Sequence, residues 1–154
     1  VCVDPTTPDY AEKLAPYLAQ TYLLVPNAAE TRTLCEIDIT SAPDEVTERT
    51  LATKIAQDLL RRGVKIAVVT MGTKGLSYAH SSGSGFIRAA NVEVTDPTGA
   101  GDAFSAAVIF GLLNELAVDE AMRLGATAAA LTVTTRETVY PQLSLEYLYD
   151  ELVV

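Results

Sequence analysis

Residues 51–69 carry a helix signal that passes into a strand signal across Gly63. Leu51, Ala52, Ile55, Ala56, Leu59 and Leu60 recur three and four apart, so they line one face of a helix. Ser41 stands where such a helix can be capped, and Gly63, following Arg61-Arg62, stops it. Between Lys65 and Thr70, Ile66-Ala67-Val68-Val69 then runs without a polar residue. A strand wetted on one face alternates in polarity, whereas an unbroken apolar run suits a parallel strand covered on both faces. An amphipathic helix feeding such a strand is half of a βαβ unit.

The rest of the chain keeps that alternation. Val1-Cys2-Val3 opens as an apolar strand running into Asp4-Pro5, which is how an internal strand of a larger sheet begins. With no initiator Met, this predicts the C-terminal part of a longer protein. Residues 8–20 read as a helix disturbed by Pro16, Tyr22–Val25 as a short strand closed by Pro26, and Asn27–Cys35 as a short helix. Leu76–His80 is a further strand, Ser81–Gly85 a flexible turn, and Ile87–Val94 another short strand. Two Ala-rich helices, about 102–116 and 119–134, are apolar nearly all round, which places them inside a layered protein at close approach. The expectation is an α/β fold with a mainly parallel sheet, ligands binding at the carboxyl ends of its strands.

Composition narrows the function classes. The 154 residues include 20 acidic and 11 basic side chains, a formal charge of −9. Bulk binding of nucleic acid or of an anionic membrane needs clustered Lys and Arg, so neither partner is expected. The longest apolar stretch, Ala103–Leu113, contains Ser105 and Gly111 and is too short to span a membrane. Cys2 and Cys35 match no metal spacing and make no disulfide framework, so they read as reduced, buried thiols. No targeting segment is evident at the N-terminus, and the expected location is cytoplasmic.

Three segments could carry chemistry. In Asp96-Pro97-Thr98-Gly99-Ala100-Gly101-Asp102, two glycines flank Ala100 ahead of an apolar helix. They let successive N–H groups point into one concavity, to which the helix adds its own free N–H groups and positive dipole end. A carboxylate beside such an anion site is useful if Asp102 accepts a proton from a hydroxyl attacking phosphorus. The structural alternative is that Asp102 only caps the helix. Asn27-Ala28-Ala29-Glu30 follows a strand, where an amide can bond phosphate oxygen and a carboxylate can order water on Mg2+. The same spacing is also a capping box. In Thr70-Met71-Gly72-Thr73-Lys74-Gly75, the glycines allow a base or sugar close to the backbone and Thr70 can donate to a phosphate, or the segment is simply a turn between strands. His80 reads as a surface or hydrogen-bonded histidine, Lys74 as a solvated cation or one that reaches a phosphate, Arg61-Arg62 as a solvated helix terminus, and the tyrosines 140, 147 and 149 as packing aromatics.

Taken in order, these segments resemble the C-terminal half of the ribokinase (PfkB) family of sugar and nucleoside kinases, and the resemblance covers nearly the whole chain. It implies a ribokinase-like, three-layer α/β/α (Rossmann-like) fold truncated at its N-terminus, with residues 1–154 forming the nucleotide-binding part. It implies Asp102 as catalytic base and Gly99, Ala100 and Gly101 as the anion hole. Asn27 and Glu30 would serve the phosphates and Mg2+, the latter through water. Thr70, Gly72 and Gly75 would line the ATP site, with Ala126 beside the adenine. Asp96 and Thr98 would hold a monovalent cation such as K+, although Thr134-Thr135-Arg136-Glu137-Thr138 departs from the family's Thr-Arg-x-Gly-Ala by Glu137 in place of Gly.

The opening Val3–Thr7, Val25–Glu30 and the ending Ala130–Ser144 look most like the pseudouridine kinase branch. The expected activity is therefore phosphoryl transfer from ATP to a hydroxyl of a sugar or nucleoside, with the 5′-hydroxyl of pseudouridine preferred. A ribokinase- or fructokinase-like sugar kinase and a non-catalytic nucleotide-binding module are the alternatives. Uncovered strand edges would favour association of the chain with itself or with a missing N-terminal half.

Overall fold

The computed structural model describes residues 1–151, which divide into two compact units, the first Val1–Arg88 and the second beginning at Ala89. The first is an α/β layer. Its five strands, β1 (Cys2–Val3), β2 (Leu23–Leu24), β3 (Ile66–Thr70), β4 (Leu76–His80) and β5 (Gly83–Ile87), lie side by side in chain order. β1, β2 and β3 run parallel, and β4 and β5 extend the sheet antiparallel. Helices α1 (Pro8–Leu14), α2 (Ala28–Cys35) and α3 (Glu45–Arg61) supply the crossovers. Pro16 ends α1 early, and the chain continues as a 3-10 helix over Ala15–Gln20.

The unbroken run in β3 does what its composition demands. Ala67 and Val69 pack with Leu24, Ala79 and the buried face of α3, while Ile66 and Val68, pointing the other way, are buried as well. The predicted face of α3 delivers Ala52, Ile55, Ala56 and Leu59 to that core, and fully burying a side chain the size of Ile55 or Leu59 contributes about 1.5–3 kcal/mol.

The start of α3 differs from the sequence expectation. Its cap is Asp44, whose Oδ1 accepts from the Thr47 N–H at 2.8 Å, while Ser41 ends a 3-10 turn, Ile39–Ser41, capped by Asp38. Pro43 is the reason: it holds Ala42 extended (φ −63°, ψ 142°), so the helix can begin only beyond it. At the other end Arg62 is more than a solvated terminus. Its guanidinium donates to the Leu34 carbonyl at 2.9 Å and to Cys35 Sγ at 3.6 Å, closing the last turn of α2. Of the two cysteines, Cys35 is half-buried and its thiol is pushed up by desolvation, but Cys2 is exposed on the short outer strand β1.

The segment read as a flexible turn over Ser81–Gly85 is mostly strand. Only Ser81-Ser82 turns, since Gly83 already pairs with His80, and Gly85 stands opposite Tyr78. A Cβ at Gly85 would lie 2.4 Å from the Tyr78 hydroxyl, so the glycine makes room for a cross-strand aromatic. β5 consequently ends at Ile87, and the strand expected over Ile87–Val94 does not form. His80 stacks on Tyr78, with ring centroids 6.3 Å apart.

The second unit is helical: α4 (Ala100–Leu113), α5 (Val118–Thr132) and α6 (Leu145–Asp150). α4 and α5 approach closely through glycines. A Cβ on Gly125 would meet Val108 and Phe104 at 2.6 and 2.8 Å, and one on Gly111 would meet Ala121 at 3.0 Å. Ala107, Leu124, Ala128 and Leu148 form their shared core. α4 is not covered all round, because Leu113 at its last turn is 78% exposed. Tyr140 and Tyr147 stack at 5.6 Å as packing aromatics, but Tyr149 is exposed. Among the described residues no helix is long and apolar enough to cross a membrane.

Candidate functional site

The loop before α4 is tied down from both sides. The Thr95 and Asp96 N–H groups donate to the Val133 carbonyl at 2.7 and 3.2 Å, fixing the loop to the end of α5. Asp96 Oδ1 accepts the Thr98 N–H at 2.8 Å, and this residue's hydroxyl and amide hold the Asp96 carboxyl below its ordinary range. Gly99 is the helix N-cap in a left-handed conformation, φ +84°, and a Cβ there would fall 2.2 Å from the Thr138 carbonyl oxygen. Only glycine meets both conditions.

Past that turn, the Ala100 N–H bonds the Pro97 carbonyl and the Ala103 N–H the Gly99 carbonyl. The N–H groups of Gly101 and Asp102 have no acceptor among the described residues. They belong to the first turn of a 14-residue helix, where backbone donors and dipole both favour an anion. Asp102 is the third residue of this helix rather than its cap, and it is exposed. The capping alternative therefore fails for Asp102, and its carboxylate is left to solvent beside two free donors. The loop that carries Glu137 runs alongside: Thr135 Oγ1 donates to the Glu137 carbonyl and accepts its N–H, each at 3.2 Å. Asp96, Thr98 and residues 133–138 are thus brought together. Ala126 lies half-buried on α5.

In the first unit the parallel strands end side by side, and their carboxyl ends carry Asp4, Asn27 and Thr70. Asn27 and Glu30 form a complete capping box. Asn27 Oδ1 accepts from the Ala29 and Glu30 N–H groups at 2.9 and 3.1 Å. Glu30 accepts from the Asn27 N–H at 2.9 Å and from Asn27 Nδ2 at 2.8 Å. Glu30 is only 1% exposed. Desolvation pushes its carboxyl up, the Asn27 backbone bond opposes this, and the negative charge of Asp4 adds to it. Each Glu30 oxygen keeps a lone pair after these bonds, so the carboxylate fits water on Mg2+ only as a further acceptor role.

The segment after β3 is a 3-10 turn, Gly72–Lys74, joining β3 to β4. It is closed by Met71 N–H to the Gly75 carbonyl at 2.8 Å and Gly75 N–H to the Gly72 carbonyl at 3.0 Å. Nothing lies within 4 Å of a Cβ built on Gly72, so that face of the turn is open. The Thr70 N–H bonds the Pro26 carbonyl at 3.0 Å, which sets this turn next to the Asn27 cap. Lys74, read as solvated, instead forms an ion pair with Glu48 of α3.

Two participants escape a reading by motif. Asp4 had only its place after an apolar strand to mark it. Glu48 was visible as an acidic residue in register with Ala52, Ile55 and Leu59 on the apolar face. The Val133 and Thr138 carbonyls, being backbone, leave no sequence signal.

Comparison with known proteins adds the family. Residues 1–144 match the pfkB family carbohydrate kinase family. A ribokinase of Haemophilus influenzae is 32% identical over 74% of this chain and 35% of its own length. A guanosine-inosine kinase of Exiguobacterium acetylicum is 33% identical over 70% of this chain and 34% of its own. The chain therefore spans about a third of the length of these relatives. Among solved structures, an E. coli protein designated a ribokinase II, in complex with ATP and Mg2+, superposes with a TM-score of 0.72 at 26% identity, covering 93% of this chain and 42% of that one. The fold is accordingly ribokinase-like α/β, and the chain belongs to the pfkB family of carbohydrate kinases.

Proposed function

We propose that this chain is the nucleotide-side part of a kinase that moves the γ-phosphoryl group of ATP to a hydroxyl of a sugar or nucleoside. The observation that carries the reading is Asp102, exposed in the first turn of α4 beside the unpartnered N–H groups of Gly101 and Asp102 itself. Phosphoryl transfer needs little covalent chemistry: donors placed where charge accumulates, and one base for the attacking hydroxyl. The turn Gly99-Ala100-Gly101 supplies the donors and the Asp102 carboxylate accepts the proton. From the family resemblance, Thr70, Gly72 and Gly75 are assigned to the nucleotide and Ala126 to its adenine. Asn27 serves the phosphates and Glu30, through its remaining lone pairs, water on Mg2+. Bound with ATP, Mg2+ offsets negative charge on the phosphates. From the family resemblance, Asp96 and Thr98 are assigned to a monovalent cation such as K+, with Glu137 standing where the family has Gly.

The finer reading is a nucleoside acceptor with a C-glycosidic base, pseudouridine, phosphorylated at its 5′-hydroxyl; it rests on the opening and closing segments of the sequence. The test uses the longer protein that contains these residues. Asp102→Asn lowers phosphoryl transfer by about 10²–10⁴-fold while leaving ATP affinity unchanged, since an amide cannot take the proton. Turnover near wild type removes Asp102 from the mechanism. A panel of ribose, fructose, guanosine and pseudouridine assigns the acceptor, and preference for any of the first three overturns the pseudouridine reading.

A further inference from the structure

The proposed nucleotide surface includes a turn that is otherwise held by its own backbone. Gly72–Lys74 has an open face at Gly72, and Gly72 and Gly75 both have positive φ, +58° and +104°. Two glycines in four residues give such a turn many alternatives in the absence of a tether. The structure supplies one. Lys74, the last residue of the turn, pairs through Nζ with Glu48 Oε2 from the first turns of α3, 26 residues away in sequence. The Glu48 side chain is 7% exposed and that of Lys74 45%. A carboxylate so deeply placed is costly unless paired, so Glu48 has a strong preference for the turn conformation that brings Lys74 to it. Glu48 borders a cavity of about 110 Å³ with Glu45, Arg49, Thr73, Phe86 and Arg88, where the Arg49 guanidinium lies over the Phe86 ring at 4.6 Å.

We infer that Glu48 and Lys74 act as a positioning pair, pinning the Thr70–Gly75 turn to α3 in the shape that receives the nucleotide, with Lys74 engaged by Glu48 rather than by phosphate. The inference rests on the nucleotide reading above for its consequence, but the pin itself can be observed without nucleotide. Two variants separate the roles. Lys74→Met and Glu48→Gln each break the ion pair, yet Glu48, itself an anion, is no ligand for a phosphate.

Amide hydrogen exchange and ATP–Mg2+ titration calorimetry on the chain, with thermal melting as a control, form the test. In both variants the Met71, Lys74 and Gly75 amides exchange faster while the β3 amides do not. ATP affinity falls about three- to tenfold in both, because a turn that spends only part of its time in the competent shape weakens binding by that fraction. Lys74→Arg keeps the charge and restores both readouts. Unchanged exchange in the variants overturns the pin, as does an affinity loss in Lys74→Met that Glu48→Gln does not share, which would make Lys74 a direct phosphate ligand. Faster exchange with unaltered affinity overturns the positioning role. If the wild-type chain takes up no ATP, the nucleotide reading falls, and exchange alone decides the pin.

Discussion

Gly99 is constrained twice, by a left-handed φ of +84° and by the Thr138 carbonyl standing where a side chain would begin. Gly99→Ala must move the 133–138 segment or distort the α4 cap, and strain at such a position costs on the order of 1–3 kcal/mol. Urea denaturation is expected to show the loss; an unshifted midpoint would mean that the two loops are not in contact. Glu30 makes a pH-dependent prediction of definite sign. Burial raises its folded carboxyl above the ordinary value, so the folded state holds a proton that the unfolded chain has released. Its contribution to stability is thus most favourable below the ordinary carboxyl pKa and declines as pH rises through the raised value. Asp96 has the opposite sign: its lowered carboxyl favours the fold above the ordinary value and loses that contribution as pH falls. Glu30→Gln removes the first dependence alone. Comparing melting temperatures of the two proteins from about pH 4 to 7 should show the wild type losing ground to Glu30→Gln as pH rises, and parallel curves would contradict a raised Glu30.

At the level of elements, the helices and the buried strand were legible because periodicity reports burial directly: Ala52, Ile55, Ala56 and Leu59 announce α3, and Ile66–Val69 announce β3. What stayed hidden depends on residues distant in sequence. Gly83-Ser84-Gly85 has turn composition and becomes strand because Tyr78, on the neighbouring strand, fills the space above Gly85. Ser41 and Asp44 are both good caps, and only the stiffening of Ala42 by Pro43 decides between them. Asp44→Ala should therefore cost about 1 kcal/mol, whereas Ser41→Ala stays within about 0.5 kcal/mol of wild type. Equal losses in chemical denaturation would return the cap to Ser41. The candidate site was legible in the same uneven way. Asn27 and Glu30 carry the spacing of a capping box, and that is what they form. The ion pair of Lys74 with Glu48 could be read only once α3 and the β3–β4 turn were placed in space.

For the whole chain, the question is which parts of a phosphoryl transfer it can perform alone. In the reading proposed above, the assigned residues hold the nucleotide, collect charge at the start of α4 and offer a base, while no residue among them is assigned to an acceptor. The chain also spans only about a third of the length of its kinase relatives. A base gains nothing from an acceptor that is not held in line, because fixing two reactants contributes as much as about 7–11 kcal/mol to such a step. The net charge of −9 works against ATP as well, so uptake should depend on Mg2+ to offset the charge on the triphosphate. The 154-residue chain is therefore expected to give a measurable heat on titration with ATP and Mg2+, and much less with ATP and a chelator. Its ADP release should stay at background when ribose, fructose, guanosine or pseudouridine is added. Acceptor-dependent ADP release that Asp102→Asn abolishes would show instead that these residues contain an acceptor site, and would move the search for it to the surface around α4.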